Sequence, residues 1–138
     1  MSAVAGDGKP NRNPAEMAVI EQVAGTADDG PVLMLNLNRY SQAAGFPDGQ
    51  LYRDYMRVLN ALLPKVGGRI LWQYPVRGQP LGDQPVDEVL GVWYPSHQAF
   101  LDLPSADGAD ENYRLREQAV ADATIHRCPG ETPPFGPT

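Results

Sequence analysis

Residues 31–40 read PVLMLNLNRY, and the pattern of this stretch governs how the rest of the sequence is interpreted. Between positions 33 and 38, leucines occupy the odd positions, while a methionine and two asparagines occupy the even ones. Alternation with a period of two is typical of a β-strand whose two faces meet different surroundings. We therefore predict a strand here, with its leucine face in the core and its asparagine face towards a polar or wet space.

Helix and strand patterns follow this first strand along the chain. Residues 50–66 carry two apolar stripes at helical spacing, and Gly67-Gly68 supplies the residues that end a helix. Residues 69–76, RILWQYPV, and 87–94, DEVLGVWY, have the composition of strands. The connection between these two strands is too long for a tight turn, so a hairpin with a longer loop is expected.

The remaining patterns predict three helices and one more strand. Ser96 is a helix N-cap, and Pro104 breaks the helix that it starts. A further helix is predicted from about residue 110 to 122, and a last strand over 123–128. Ahead of the first strand, Asn13-Pro14 has the form of a helix start, so a short helix is predicted up to about Ala24.

The order of these elements is β-α-β-β-α-β after an initial helix, which is the split βαβ pattern of ferredoxin-like domains. We predict an α+β chain with an antiparallel four-stranded sheet and both main helices on one face. The other face would expose Trp72, Tyr74 and Trp93, so we expect a second copy to cover it in a homodimer. The predicted division is an N-terminal extension with a short helix (1–30), the α+β domain (31–128) and a Pro-rich tail (129–138).

Four segments, taken in their order and spacing, resemble a known superfamily: MLNLNRY (34–40), YRDYMRVLNALLPKVGGRILW (52–72), PLGD (80–83) and DEVLGVWYPSHQAFLDL (87–103). They resemble an uncharacterised branch, of unknown function, of the dimeric α+β barrel superfamily. That superfamily also contains antibiotic-biosynthesis monooxygenases, EthD-like proteins and muconolactone isomerases. The resemblance implies a homodimer whose sheets face each other, with a small-molecule pocket between sheet and helices in each subunit. It does not imply one chemistry.

Charge and composition exclude several classes of partner. The formal net charge of −6 argues against a nucleic-acid groove or an anionic membrane surface. No apolar stretch approaches the roughly 20 residues of a membrane span, and a cytoplasmic location is the default expectation. The single cysteine, Cys128, excludes an intrachain disulfide and a cysteine-based zinc site. The two histidines, His97 and His126, lack metal-site spacing and no nucleotide-binding motif is present, so we expect neither metal nor cofactor.

Four residues are the candidates for catalysis. The amide of Asn36 is suited to holding a substrate carbonyl or enolate, although a purely structural amide is an equal alternative. Tyr40 and Tyr74 are candidate donors to developing oxyanion charge. His126, inside the last strand, is a candidate general base, with a structural histidine as the alternative. His97, in a first helical turn, is expected to be exposed.

Five further residues are candidates for substrate binding. Arg39, at the end of the first strand, is suited to clamping a carboxylate or phenolate, with a surface salt bridge as the alternative. An aromatic pocket for a planar ligand is predicted from the other four, although core or dimer packing explains most aromatic residues. These four are Tyr52, Tyr55, Trp72 and Trp93.

The leading hypothesis from the sequence is a cofactor-independent isomerase or cyclase. It would move a proton on a hydrophobic, carbonyl-rich molecule resembling a natural product, by positioning it beside one base and one hydrogen-bond donor. One alternative is a cofactor-free monooxygenase of the antibiotic-biosynthesis type. The other is an accessory protein that binds a small molecule without transforming it.

Overall fold

Over residues 12–130 the protein is a small α+β chain with four α-helices and one four-stranded antiparallel sheet, an architecture that fits a ferredoxin-like fold. A computed structural model describes residues 12–130, so the first eleven residues of the predicted N-terminal extension and most of the predicted Pro-rich tail lie outside this range. The elements are α1 (Pro14–Ala24), β1 (Val32–Tyr40), α2 (Gln50–Leu62), β2 (Arg69–Pro75), β3 (Glu88–Tyr94), α3 (His97–Asp102), α4 (Ala109–Ala119) and β4 (Val120–Pro129).

The sheet has the strand order β2-β3-β1-β4, so the first strand lies inside the sheet and the last strand forms an edge. Every neighbouring pair is antiparallel. The cross-strand register then decides which side chains share a face, because directly opposed residues point the same way. Asn36 stands opposite Leu90 and Ile125, whereas Leu35 stands opposite Gly91 and His126.

The even-numbered residues of β1 lie on the side that the helices cover, and the odd-numbered ones lie on the other side. Val32, Met34 and Tyr40 are buried at the helix-covered side together with residues of α1, α2 and α4. The expectation that the leucine face of this strand is the core was wrong. The helices pack on the methionine and asparagine side, and we call the leucine side the open face.

The open face is apolar, although no helix of the described chain packs against it. Leu35 and Leu37 are half-buried there, and Tyr74 is 63% exposed. A Cβ atom on Gly91 would lie 2.5 Å from Cε2 of Trp72, so the Trp72 indole packs directly on the backbone of the neighbouring strand. A flat layer of tryptophan and leucine side chains results.

The boundary between the last helix and the last strand differs from the prediction. Helix α4 ends at Ala119 and β4 begins at Val120, three residues before the predicted strand. Val120 has extended dihedral angles (φ −100°, ψ 118°) and pairs with Tyr40 across an irregularity in the ladder. Val120, a β-branched residue, thus pairs with β1 as part of the strand, although the apolar spacing predicted that it belongs to the helix.

Among the described residues, no helix combines the length and apolar character needed to cross a membrane.

Candidate functional site

A cavity of about 880 Å³ lies between the helix-covered face of the sheet and helices α1, α2 and α4. Its volume is in the range of pockets that enclose organic molecules of drug size. Much of its wall is aliphatic or aromatic, which suits the apolar body of such a molecule. These apolar wall residues include Ile20, Met34, Leu59, Leu90, Val92 and Phe100.

One part of the cavity wall is rich in hydrogen-bond donors, and we call it the donor end. It consists of Tyr55 from α2 together with Asn112, Tyr113 and Arg116 from α4. Asn112 and Arg116 stand four residues apart, so both project from the same side of the helix. Helices α2 and α4 pack against each other, which brings Tyr55 to this side of α4.

The amide nitrogen of Asn112 is the most informative atom of the donor end. The side chain is 4% exposed, and Nδ2 has no hydrogen-bond partner among the described residues. A buried, unpaired amide donor costs about 1–3 kcal/mol relative to a satisfied one. Asn112 is also one of the residues that line the cavity, so an acceptor atom of a bound molecule that reached Nδ2 would satisfy it.

The two tyrosines of the donor end carry their protons at neutral pH. Burial raises the pKa of Tyr55, while the neighbouring Arg116 guanidinium acts to lower it. Burial also raises the pKa of Tyr113, against the opposing effect of Arg12 and Arg116. Both phenols are therefore available as donors, and two arginines lie beside them.

Helix α1 and the residues just before it line part of the cavity. Arg12, Glu16 and Met17 line it, and the Glu16 carboxylate accepts a hydrogen bond from Nε of Arg127 on the edge strand. This hydrogen bond lowers the pKa of Glu16. The ion pair fastens α1 to β4 across the cavity.

The buried carboxylate of Glu88 accepts three hydrogen bonds. Glu88 is 3% exposed; its Oε1 accepts from the Tyr40 hydroxyl at 2.6 Å. Its Oε2 accepts from the Tyr52 hydroxyl at 2.8 Å and from Nε2 of Gln73 at 2.9 Å. Because a carboxylate only accepts, Tyr40 must give its proton to Glu88 and use its oxygen to accept from Nδ2 of Asn38, 3.2 Å away.

This network determines what Asn38 offers to the cavity that it lines. With Nδ2 committed to Tyr40, the carbonyl oxygen Oδ1 is left without a hydrogen bond from any described residue. The wall therefore presents this oxygen as an acceptor whose orientation the hydrogen bond to Tyr40 fixes. Burial, with the Glu88 carboxylate beside it, raises the pKa of Tyr40 far above its usual range, so this phenol does not ionise near neutral pH.

The structure separates the four predicted catalytic residues. Asn36 lines the cavity and makes no side-chain hydrogen bond to a described residue, whereas Tyr40 lies in the Glu88 network. Tyr74 stands opposite Val89, on the open face. His126 borders the cavity through its strand, but its position opposite Leu35 turns the exposed imidazole to the open face. The sheet therefore stands between His126 and Asn36 within one chain.

The predicted binding residues are divided in the same way. Tyr55 belongs to the donor end, and Tyr52 to the Glu88 network. The other three, Arg39, Trp72 and Trp93, stand at open-face positions, where the guanidinium of Arg69 lies 5.5 Å from the Trp93 ring centre. Only Asn36 and Tyr55 of the nine predicted residues thus place their side chains at the cavity.

His97 is buried, contrary to the expectation of an exposed side chain. Its ring is 3% exposed, and Nδ1 lies 2.9 Å from Oδ1 of Asp29, which also accepts from the His97 backbone amide. Burial acts to raise the pKa of Asp29, but the hydrogen bonds from the His97 and Gln98 backbone amides and from the His97 ring outweigh it, so this pKa is lowered. The pair joins the loop before β1 to the start of α3.

Sequence patterns pointed to neither Asn112 nor Glu88. The i, i+4 spacing of Asn112 and Arg116 was visible, but the same spacing is common on solvated helix faces. Glu88 lies next to the apolar strand 89–94, where a strand-end acid is usually exposed. Both residues are distinguished only by their burial, which depends on the residues that pack around them.

The fold and the cavity define a small α+β protein with a four-stranded antiparallel sheet and an internal pocket on its helix-covered side. No model of a known protein family matches the sequence, and no curated protein does either. Among solved structures, the chain is similar to RPA0582 of Rhodopseudomonas palustris, a structural-genomics target of unknown function. The two are 27% identical with a TM-score of 0.70, over 89% of this chain and 97% of that one.

The crystal structure of the methylated RPA0582 protein is similar to the same extent. It is 27% identical with a TM-score of 0.70, covering 94% of this chain and 99% of that one. Because the function of RPA0582 is unknown, this similarity supports the fold but gives no information about activity. Membership of the dimeric α+β barrel superfamily stays a prediction.

Proposed function

We propose that the protein binds a hydrophobic small molecule that carries polar oxygen atoms, inside the cavity between the sheet and the helices. The observation that carries this proposal is the unpaired, buried Nδ2 of Asn112 in a wall that is otherwise largely apolar. A bound acceptor would remove the cost of the unpaired donor, and burial of an apolar body would supply most of the binding free energy.

The fluorescence of N-phenyl-1-naphthylamine, an uncharged apolar probe, tests this function. We expect its emission to rise on binding to the wild-type protein. Ala123 lies opposite Asn38 at the cavity wall, so Ala123→Trp should fill the space and weaken binding by at least about tenfold. Ala18→Trp, on the exposed side of α1, is the matched control and should bind normally. Absence of binding, or equal binding by both variants, would contradict the proposal.

A second candidate is catalysis on the bound molecule by a cofactor-independent isomerase or cyclase. The supporting observation is the side chain of Asn36, which lines the cavity, makes no hydrogen bond to a side chain or backbone of the described residues and is suited to polarising a carbonyl. His126 is separated from it by the sheet, so the proposed catalysis uses Asn36 without His126. Unchanged conversion by Asn36→Leu would reject this role, and substrate-dependent oxygen consumption would favour the monooxygenase alternative.

We also propose that two copies of the chain pair through their open faces. Leu35, Leu37 and Trp72 form an apolar layer on that face, and contiguous apolar patches of this kind are characteristic of interfaces. A symmetric pairing of the same face would bury both copies at once. Sedimentation of the wild-type protein at micromolar concentration is expected to show a dimer, and Leu35→Arg is expected to give a monomer. A monomeric wild-type protein would reject the pairing.

A further inference from the structure

We propose that the donor end of the cavity is an anion site and that the natural ligand carries a carboxylate on its apolar body. This inference rests on the proposed binding function and adds the chemical class of the ligand. Four donors converge there: the phenols of Tyr55 and Tyr113, the amide of Asn112 and the guanidinium of Arg116. A planar carboxylate matches a guanidinium fork and accepts additional hydrogen bonds from phenols and amides.

The charge of Arg116 is the first reason to prefer an anion over a neutral carbonyl. Arg116 is half-buried, and no carboxylate of residues 12–130 lies within ion-pair distance of it. By contrast, the exposed Arg114 on the same helix is paired with Glu111, at 2.7 Å between Nη2 and Oε2. A partly desolvated cation that has no counter-ion among the described residues favours a ligand that supplies one.

Of the three acidic residues that border the cavity, one is in an ion pair and one stands at an open-face position. Glu16 is bound to Arg127, and Asp122 stands opposite Arg39, at an open-face position. Glu117, although it borders the cavity, is an exposed residue. Arg12 adds a second cation at the same end, next to Tyr113. Two guanidinium groups, those of Arg12 and Arg116, therefore act on Tyr113, and the Asp110 carboxylate acts against them.

The unpaired amide of Asn112 is a second, independent observation that points to a ligand. Its Nδ2 is a buried donor without a partner in the part of the chain that the structure describes, and it stands one helical turn from Arg116. An anionic oxygen between them would satisfy both groups simultaneously. A neutral apolar ligand would leave the Asn112 amide unpaired and would supply no negative charge to Arg116.

A pair of probes that differ by one charged group tests the inference. 8-Anilinonaphthalene-1-sulfonate has the same aromatic body as N-phenyl-1-naphthylamine plus one sulfonate, whose oxygens stand in for a carboxylate. At about 0.15 M salt, where long-range attraction is screened, we expect the wild-type protein to bind the sulfonated probe at least about tenfold more tightly than the neutral one. The negative net charge of the protein acts against this preference, so non-specific attraction would not produce it.

Arg116→Met should abolish the preference for the sulfonated probe and leave affinity for the neutral probe within about twofold. Arg114→Met is the matched control, because it removes an arginine two residues away that is exposed and paired; it should keep the preference. Asn112→Asp provides a second variant of nearly identical shape. Its carboxylate would pair with Arg116, so it too should lose the sulfonated probe while keeping the neutral one.

The outcomes separate this inference from the function on which it rests. If neither probe binds the wild-type protein, the proposed binding function fails, and the anion site fails with it. If the neutral probe binds and is blocked by Ala123→Trp, but the sulfonated probe is not preferred, the binding function stands and the anion site is wrong. A preference that survives both Arg116→Met and Asn112→Asp also rejects the anion site.

Discussion

The hydroxyl group of Tyr40 lies 2.6 Å from Oε1 of Glu88 and donates its proton to that buried carboxylate. Both residues come from neighbouring strands, and both side chains lie on the helix-covered side of the sheet. The contact fixes the direction of the next hydrogen bond, from Asn38 to Tyr40, and so fixes which atom of Asn38 is left for the cavity. A structural network thereby determines a property of the candidate binding site.

Glu88→Gln is expected to destabilise the fold, because the new amide group cannot accept the hydrogen bonds that both carboxylate oxygens now receive. We expect a loss of about 1–3 kcal/mol in the free energy of unfolding, measured by urea denaturation with an unchanged slope. Glu21→Gln, on the exposed side of α1, should change it by less than about 0.5 kcal/mol. Equal stability of the two variants would show that the network contributes little.

Asn112→Leu is expected to leave stability unchanged or to raise it by up to about 1 kcal/mol. The substitution removes an unpaired buried donor and keeps a similar side-chain shape, and such replacements are nearly neutral or stabilising. The measurement is the urea midpoint of the ligand-free protein. A loss of more than about 2 kcal/mol would mean that the amide is satisfied within the fold and that it does not await a ligand.

The Asp29–His97 pair is expected to make stability depend on acid pH. Because the folded-state pKa of Asp29 is lowered, its carboxylate stabilises the fold above the ordinary aspartate pKa of about 4. This contribution is lost as the pH falls below that value towards the folded-state pKa. Asp29→Asn lacks this contribution, so it should be less stable than wild type near neutral pH. The difference in stability should shrink below about pH 4.

Urea unfolding between about pH 3 and pH 7 measures this difference. Asp28→Asn, at the exposed neighbouring position, is the control and should follow the wild-type curve. A difference between Asp29→Asn and wild type that stays constant across this range would contradict a role for the lowered pKa.

The Glu16–Arg127 ion pair is expected to hold α1 over the cavity. Arg127→Gln should increase hydrogen exchange of the α1 amides by about fivefold, since a partly exposed pair contributes up to about 1 kcal/mol. Exchange in α2, which does not contact this pair, is the internal reference. An unchanged rate in α1 would mean that apolar contacts such as that of Ile20 hold the helix alone.

Gly91→Ala is expected to move the Trp72 indole, because the added Cβ would meet the ring at 2.5 Å. Backbone cannot yield at a central strand as readily as a side chain rotates, so the tryptophan should leave its flat position. Near-ultraviolet circular dichroism and tryptophan emission measure this movement. If the proposed pairing of open faces is correct, the same variant should also weaken the dimer in sedimentation experiments.

Local patterns in the sequence were sufficient to place most elements of the fold. Alternation in residues 31–40 marked β1, and apolar stripes with Gly67-Gly68 marked α2 and its end. These features depend on near neighbours along the chain, which is why they are readable without coordinates. The same alternation did not show which face the helices would cover, because both faces of β1 carry residues able to pack.

The candidate site depended on distant contacts that no local pattern encodes. Asn36 and Tyr55 were predicted and line the cavity, whereas His126 was predicted from the same reasoning and lies on the opposite side of the sheet. A shift of one residue in strand register would move a side chain from one face of the sheet to the other.

The sequence by itself thus determined the order and kind of the elements and the acidic, single-cysteine character of the chain. Only the tertiary structure decided that Asn112 and Arg116 border an internal cavity and that Glu88 is buried beneath it. Burial and unpaired donors are properties of packing between elements far apart in the chain, and the free energy of a polar group depends on what surrounds it.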